Sequence, residues 1–186
     1  MSKSKKNVVD PSNIVSQYGA DTARLFMISD SPPEKDLQWS IEGIKATYKF
    51  LKKIFVYLQK DFSFNIELNQ NMKKELNETE KKIYNLTQKT IMEFTDDVKN
   101  YRFNTAIAKL REMVNNILKK KLGKNLHNYC WSIFLRLISI ITPHFSDELA
   151  QTGGYKESLI NLKWPDYDKS SVNSESVNIV IQINGK

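Results

Sequence analysis

The sequence predicts an all-α protein, an antiparallel helical bundle with a flexible loop before it and a short β strand at its carboxy terminus. Three observations carry that prediction. Apolar residues recur at spacings of three and four along four long segments. Among 186 residues there are only six Gly and five Pro, too few to punctuate a chain of many strands and turns. The connections between the periodic segments are short, which makes consecutive helices antiparallel neighbours.

In chain order, the first ten residues are polar and basic and read as a loop. Asp10 and Ser12 flank Pro11 and offer capping oxygens for a short helix over 13–18, which Gly19 ends by supplying a left-handed conformation. A second helix covers 20–29, with Leu25, Phe26 and Ile28 as its apolar content, and Ser31-Pro32-Pro33 breaks it. Next, Ile41, Ile44, Tyr48, Leu51, Ile54, Phe55 and Leu58 share one helix face, with Lys45, Lys49, Lys52 and Lys53 opposite. A further periodic segment spans 78–98 through Ile83, Leu86, Thr90 and Phe94. Another spans 103–121, from Phe103 and Ala106 to Ile117 and Leu118, with Gly123 as its terminator and Lys119–Lys121 at the negative end of its dipole.

The segment 125–141 is apolar nearly all round, and a helix of that kind is central in its bundle. Thr142-Pro143 reads as an N-cap followed by proline at the first helical position, opening a helix to 151 that Gly153-Gly154 ends. Residues 166–178 have a linker's composition, and the β-branched run Val177–Ile183 reads as a strand. A lone strand is not stable in water, so its partners are expected in sequence beyond Lys186.

The 28 Lys and Arg exceed the 21 Asp and Glu, giving a net charge of +7, which suits an anionic partner, nucleic acid first and acidic membrane second. The most apolar run, 129–141, is interrupted by Arg136 and falls short of the ~20 residues a membrane span requires. No apolar stretch of secretory type follows the MSKSKK start. These features describe a soluble, cytoplasmic protein without a membrane partner. Cys130 is the single cysteine, read as a core residue, and His127 and His144 lack metal-ligand spacing, so no metal site is expected.

A polar loop in which Lys3, Lys5 and Lys6 are interleaved with hydroxyls suits phosphate binding, though composition alone favours a solvated tail. The residues after it decide. MSKSKKNVVDPSNIVSQYGADTARLFMISDSPPEKDLQWS resembles the stretch that follows the catalytic domain in class I aminoacyl-tRNA synthetases. Met1-Ser2-Lys3-Ser4 matches the last four letters of that class's KMSKS signature. Asp10-Pro11, Tyr18–Thr22 and Arg24 match the helical segment after it. Leu37-Gln38-Trp39, Phe103–Ile107, Thr142-Pro143-His144 and the terminal IQINGK point, within the class, to the leucyl branch.

That resemblance covers the whole chain. It implies an anticodon-binding-type helical domain in a parent enzyme that forms leucyl-adenylate from leucine and ATP (with magnesium) and transfers leucine to tRNA(Leu). Lys3 then aligns with the mobile lysine that meets the departing pyrophosphate, where electrostatic stabilisation lowers the barrier. Met1, Ser2 and Ser4 complete the phosphate-binding loop. The lysine that opens KMSKS and the class's HIGH motif are both missing, as are the catalytic and editing domains. The chain is therefore expected to be a monomeric piece, inactive alone and with no bound cofactor of its own, whose partners are tRNA(Leu) and those missing domains.

The implied division is a loop and connecting segment (1–38), the helical tRNA-binding domain (39–165), and a linker with the first strand of a further domain (166–186). In the leucyl branch the helical domain holds the tRNA body rather than reading the anticodon. Lys45, Lys49, Lys52, Lys53 and Arg24 are the candidate tRNA contacts, with Arg102 and Arg111 behind them. A lysine-rich face is also what an ordinary solvated helix presents. Trp39, Trp131, Trp164 and His144 are read as packing or structural residues. The alternatives are a free-standing RNA-binding helical module and a protein-interaction bundle.

Overall fold

The computed structural model describes residues 9–37 and 39–172, and these are helical throughout their regular parts. The phosphate-binding loop at 1–4 and the strand expected at 177–183 lie outside the described residues. Two short helices, α1 (Pro11–Tyr18) and α2 (Ala20–Ser29), lead into α3 (Ile41–Leu58). A short α4 (Gln70–Lys74) precedes three long helices, α5 (Glu78–Lys99), α6 (Phe103–Leu118) and α7 (Lys124–Ile138). Then come α8 (Pro143–Thr152), a 3-10 turn over Leu159–Asn161, and α9 (Lys169–Val172).

The local chemistry of each start and stop is largely what the sequence predicts. Asp10 accepts from the Ser12 N–H at 2.9 Å, and Ser40 caps α3 by accepting from Gly43 at 3.1 Å. Asn77 and Glu80 form a reciprocal capping box at the start of α5. Gly19 is shared, closing α1 and opening α2 at φ +83°, a backbone conformation that side chains resist. At the α5–α6 turn a tyrosine takes the left-handed position instead: Tyr101 sits at φ 59°, and the Arg102 N–H donates back to the Asp97 carbonyl at 2.8 Å.

The bundle is built around α7, in which every residue from Asn128 to Ile138 is buried, as a helix apolar nearly all round requires. The long helices α5 and α6 pack along each other and both touch α7. Their inner faces supply Ile91, Phe94, Ile107, Leu110 and Met113, all essentially sealed from solvent. A smaller cluster of Ile14, Phe26 and Ile44 ties α1 and α2 to α3. There α3 approaches so closely that a Cβ on Gly43 would lie 2.5 Å from the Phe26 ring, which leaves room for glycine alone.

Four expectations need correction. The helix from Phe103 ends at Leu118 rather than 121, and Gly123 is not its terminator. Gly123 is the N-cap of α7 at φ −61°, with its N–H donated to the Glu80 carboxylate at 2.8 Å, so Lys119 is a C-cap and Lys120 and Lys121 lie in the connection. The apolar helix α7 ends at Ile138, and residues 139–141 form the turn after it. Thr142 occupies the N-cap position of α8, but its hydroxyl donates to the Ile138 carbonyl at 3.3 Å and caps nothing. Leu86 is only half-buried, because Thr87 and Ile91 carry the inward face of α5 beside Ile83 and Phe94.

The polar composition over 166–172 conceals attachment to the bundle. Asp168 accepts from Lys73 at 3.1 Å, Tyr84 at 3.2 Å and Ser170 at 2.6 Å, while its own N–H donates to Gln88 at 2.8 Å. The Ser170 hydroxyl and then Lys73 hold the Asp168 carboxyl well below the usual carboxylate range, outweighing the opposing effect of burial. Upstream, Arg136 reaches from α7 to the Leu162 carbonyl, with Nε at 3.0 Å and Nη2 at 2.6 Å, and its guanidinium lies 4.9 Å from the centre of the Trp164 ring.

Candidate nucleic-acid interface

Four of the five proposed contact residues stand together. Lys45, Lys49, Lys52 and Lys53 are exposed on α3, at spacings that set them along one side of the helix, while Ile44, Leu51, Ile54 and Leu58 are buried on the other. Among the described residues none of the four has a carboxylate partner. Lys52 alone has an assigned neighbour, the Tyr48 ring, with Nζ 5.8 Å from its centre. A row of cations without ion-pair partners among the described residues is an electrostatic track for a polyanion, with Glu42 at its amino-terminal end as the acidic residue of the same helix.

The other arginines are committed elsewhere. Arg102 pairs with Asp96 at 2.6 Å and Asp97 at 2.8 Å, and those hydrogen bonds raise its pKa. Arg111 is stacked 4.5 Å from the Phe50 ring centre, where burial lowers its pKa. Arg24 donates from Nη1 to Asp21 Oδ1 at 2.6 Å.

That last contact belongs to a junction the sequence does not announce. Asp21 is 8% exposed, and its second oxygen accepts the Phe145 N–H of α8 at 2.7 Å. His144 Nδ1 lies 3.2 Å from the first oxygen and 3.5 Å from Arg24. Asp21 therefore provides the cap that Thr142 withholds, and it reaches α8 from α2. His144 is structural here, and nothing stands beside it as a nucleophile would.

Between the same elements runs a groove of about 470 Å³ with an apolar floor of Leu51, Phe55 and Phe145. Tyr18 and Tyr48 both line it and pack edge to face on each other, with ring centres 5.8 Å apart. Elsewhere the tryptophans serve packing: Trp39 meets Phe26 edge-on, Trp131 is fully buried, and Trp164 stacks on Phe94 while donating to Thr95 at 2.8 Å. Cys130 is sealed beside Thr87, and burial pushes its thiol up to about 12, so it is inert. Among the described residues no group of His, Cys, Asp and Glu is arranged to hold a metal ion, and no helix is long and apolar enough to cross a membrane.

Residues 80–186 match the family described as the anticodon-binding domain of tRNA ligase. The chain belongs to that family. Residues 1–40 match a second family, the class I tRNA synthetases of the I, L, M and V group, so the two matches follow the order read from the sequence. Across its full length this chain is 41% identical to a leucine–tRNA ligase of Wolbachia pipientis (strain wPip) and 42% identical to one of Orientia tsutsugamushi (strain Boryong). It spans 23% and 22% of those relatives. Its fold superposes on a leucyl-tRNA synthetase of Agrobacterium radiobacter K84, solved in a ternary complex with tRNA and LeuAMS. The TM-score is 0.84 at 27% identity, covering 92% of this chain and 22% of that one. The resemblance to the leucyl branch, and the all-helical anticodon-binding fold it implied, are both borne out.

Proposed function

We propose that this chain is the tRNA-holding helical part of a leucyl-tRNA synthetase, and that the parent enzyme joins leucine to tRNA(Leu) using ATP with magnesium in the cytoplasm. The observation that carries the reading is the row of exposed, unpaired lysines on α3, in a chain similar over its whole length to leucine–tRNA ligases. Lys45, Lys49, Lys52 and Lys53 bind phosphates and so give affinity without base specificity. Arg24, half-exposed and paired with Asp21, is a further tRNA contact beside that face. The loop and connecting segment (1–38), the bundle (39–165) and the segment 166–186 act as successive units of a monomer. Without a HIGH motif the chain alone does not activate leucine.

If phosphate contacts dominate, tRNA affinity falls steeply with salt, and Lys45→Glu with Lys49→Glu lowers it by about tenfold or more. A flat salt response and an unaffected double variant would favour a protein-interaction bundle instead. In the proposed reaction Lys3 meets the charge that accumulates on the departing pyrophosphate, with Met1, Ser2 and Ser4 shaping the loop around it. Lys3→Ala in the full-length enzyme is expected to slow ATP–pyrophosphate exchange on the order of 100-fold. An unchanged exchange rate rejects that role.

A further inference from the structure

We propose that the groove between α1, α2, α3 and α8 takes one unpaired nucleotide of the bound RNA, its base stacked on Tyr48 and its phosphate against Lys52. The proposal rests on the reading of the α3 face as an RNA-holding surface and adds to it a site that recognises a base.

The groove's shape and chemistry fit that occupant. Its volume, about 470 Å³, lies in the range of small-ligand sites and accommodates a nucleoside. The Tyr18 and Tyr48 rings are each half-buried and pack edge to face, with Lys52 5.8 Å from the Tyr48 ring centre, so an aromatic ring and a cation stand together at the groove. Stacking on such a face tolerates any base, and unpaired nucleotides are the ones free to stack. At the rim, Val56 is 49% exposed, an apolar side chain in water beside the cationic row. Gln59 lies one turn further on and offers both a donor and an acceptor to a base edge.

Charge distinguishes a nucleotide from a protein segment. Lys52 lines the groove, and the lone carboxylate in its described lining, Asp21, is already engaged by Arg24, His144 and the Phe145 N–H. The groove is therefore largely apolar, and its cation, Lys52, has the Tyr48 ring at 5.8 Å but no carboxylate partner among the described residues. An apolar helix or strand laid there would cover Lys52 without a counter-charge, which is costly. A nucleotide brings the flat apolar group and the anion together. Lys49 and Lys45 lie three and seven residues before Lys52 on the same helix, and they continue the cationic row for the adjoining phosphates.

The test uses the full-length enzyme and a tRNA(Leu) transcript, titrated at two salt concentrations. Tyr48→Ala is expected to weaken binding roughly 5- to 150-fold, the range for loss of one stacked base, without changing the salt slope. Tyr48→Phe, which keeps the ring, should bind as the parent does. Val56→Asp, at an exposed position that leaves the fold intact, should weaken binding as Tyr48→Ala does. A photoreactive benzoylphenylalanine in place of Val56 should crosslink to a single unpaired nucleotide. Unchanged affinity in both Tyr48→Ala and Val56→Asp overturns the groove while the lysine face stands, provided the Lys45 and Lys49 reversals still weaken binding. A crosslink falling within the polypeptide also overturns it, because a segment of the parent then fills the groove. Weakening by Tyr48→Ala together with neutral lysine reversals would uphold the groove and reject the phosphate role of the lysines.

Discussion

Trp131→Ala should lower the stability of the chain by about 3–5 kcal/mol, seen as a large drop in the denaturant midpoint at unchanged slope. Trp131 is the largest fully buried side chain. It sits on the central helix and meets Phe134 edge to face at 5.6 Å and Tyr57 at 5.5 Å, so truncation opens a cavity where α3 joins the bundle. Its indole N–H meets no acceptor among the described residues. Trp131→Phe therefore loses area but also removes an unsatisfied buried donor, and it should cost roughly 1.5 kcal/mol or less. If the two variants fell by the same amount, packing around the outer ring would have been misjudged and the cavity account would fail.

The second large effect is expected at Arg136. The Arg136→Ala variant should lose about 3 kcal/mol, because a half-buried carbonyl loses two donors, Ser139 loses one, and an aromatic ring loses its neighbour together. Arg136 is 6% exposed and has no carboxylate partner among the described residues. Burial lowers its pKa, yet two hydrogen bonds to the Leu162 carbonyl and one to Ser139 at 3.2 Å keep it satisfied. Met at this position keeps the length but no donor, so its stability should fall between those of Arg and Ala. Amide exchange over 162–172 should accelerate in both variants, since this contact fastens that segment to α7. Unchanged exchange there would mean that Asp168 and its partners hold the segment unaided.

The four long helices were legible because each shows a continuous apolar stripe, and burial on folding enforces that stripe directly. The meaning of Gly123 was not legible. A glycine after three lysines looks like a helix end, but its φ of −61° makes it the beginning of the next helix, and the residue that selects this role is Glu80. Tyr101 escaped notice for the converse reason, as a left-handed turn position with no glycine to mark it. The linker-like composition of 166–172 hid a segment whose Asp168 pairs through its carboxylate with Lys73 and Tyr84 and through its backbone N–H with Gln88, partners about 80 to 95 residues earlier.

The candidate interface divides along the same line. The lysine row on α3 was readable because helical spacing alone places it. The groove beside it was not, because its walls come from four helices and its electrostatic character depends on Asp21 being occupied. The motif containing Asp21 and Arg24 was visible in the sequence, but its role as the cap of α8 was not.

The Asp21–Phe145 bond also bears on the order in which the molecule is made. The carboxylate leaves the ribosome 124 residues before the amide that donates to it, a wait of roughly 6–25 s at ordinary elongation rates. Throughout that interval the first two helices lack the contact that docks them on α8. They can settle on α3 and α6 as these appear, but they lock only when synthesis is close to the end of the bundle. A nascent chain paused before residue 145 should thus present its amino-terminal helices in a protease-sensitive state, and a few further codons should close it.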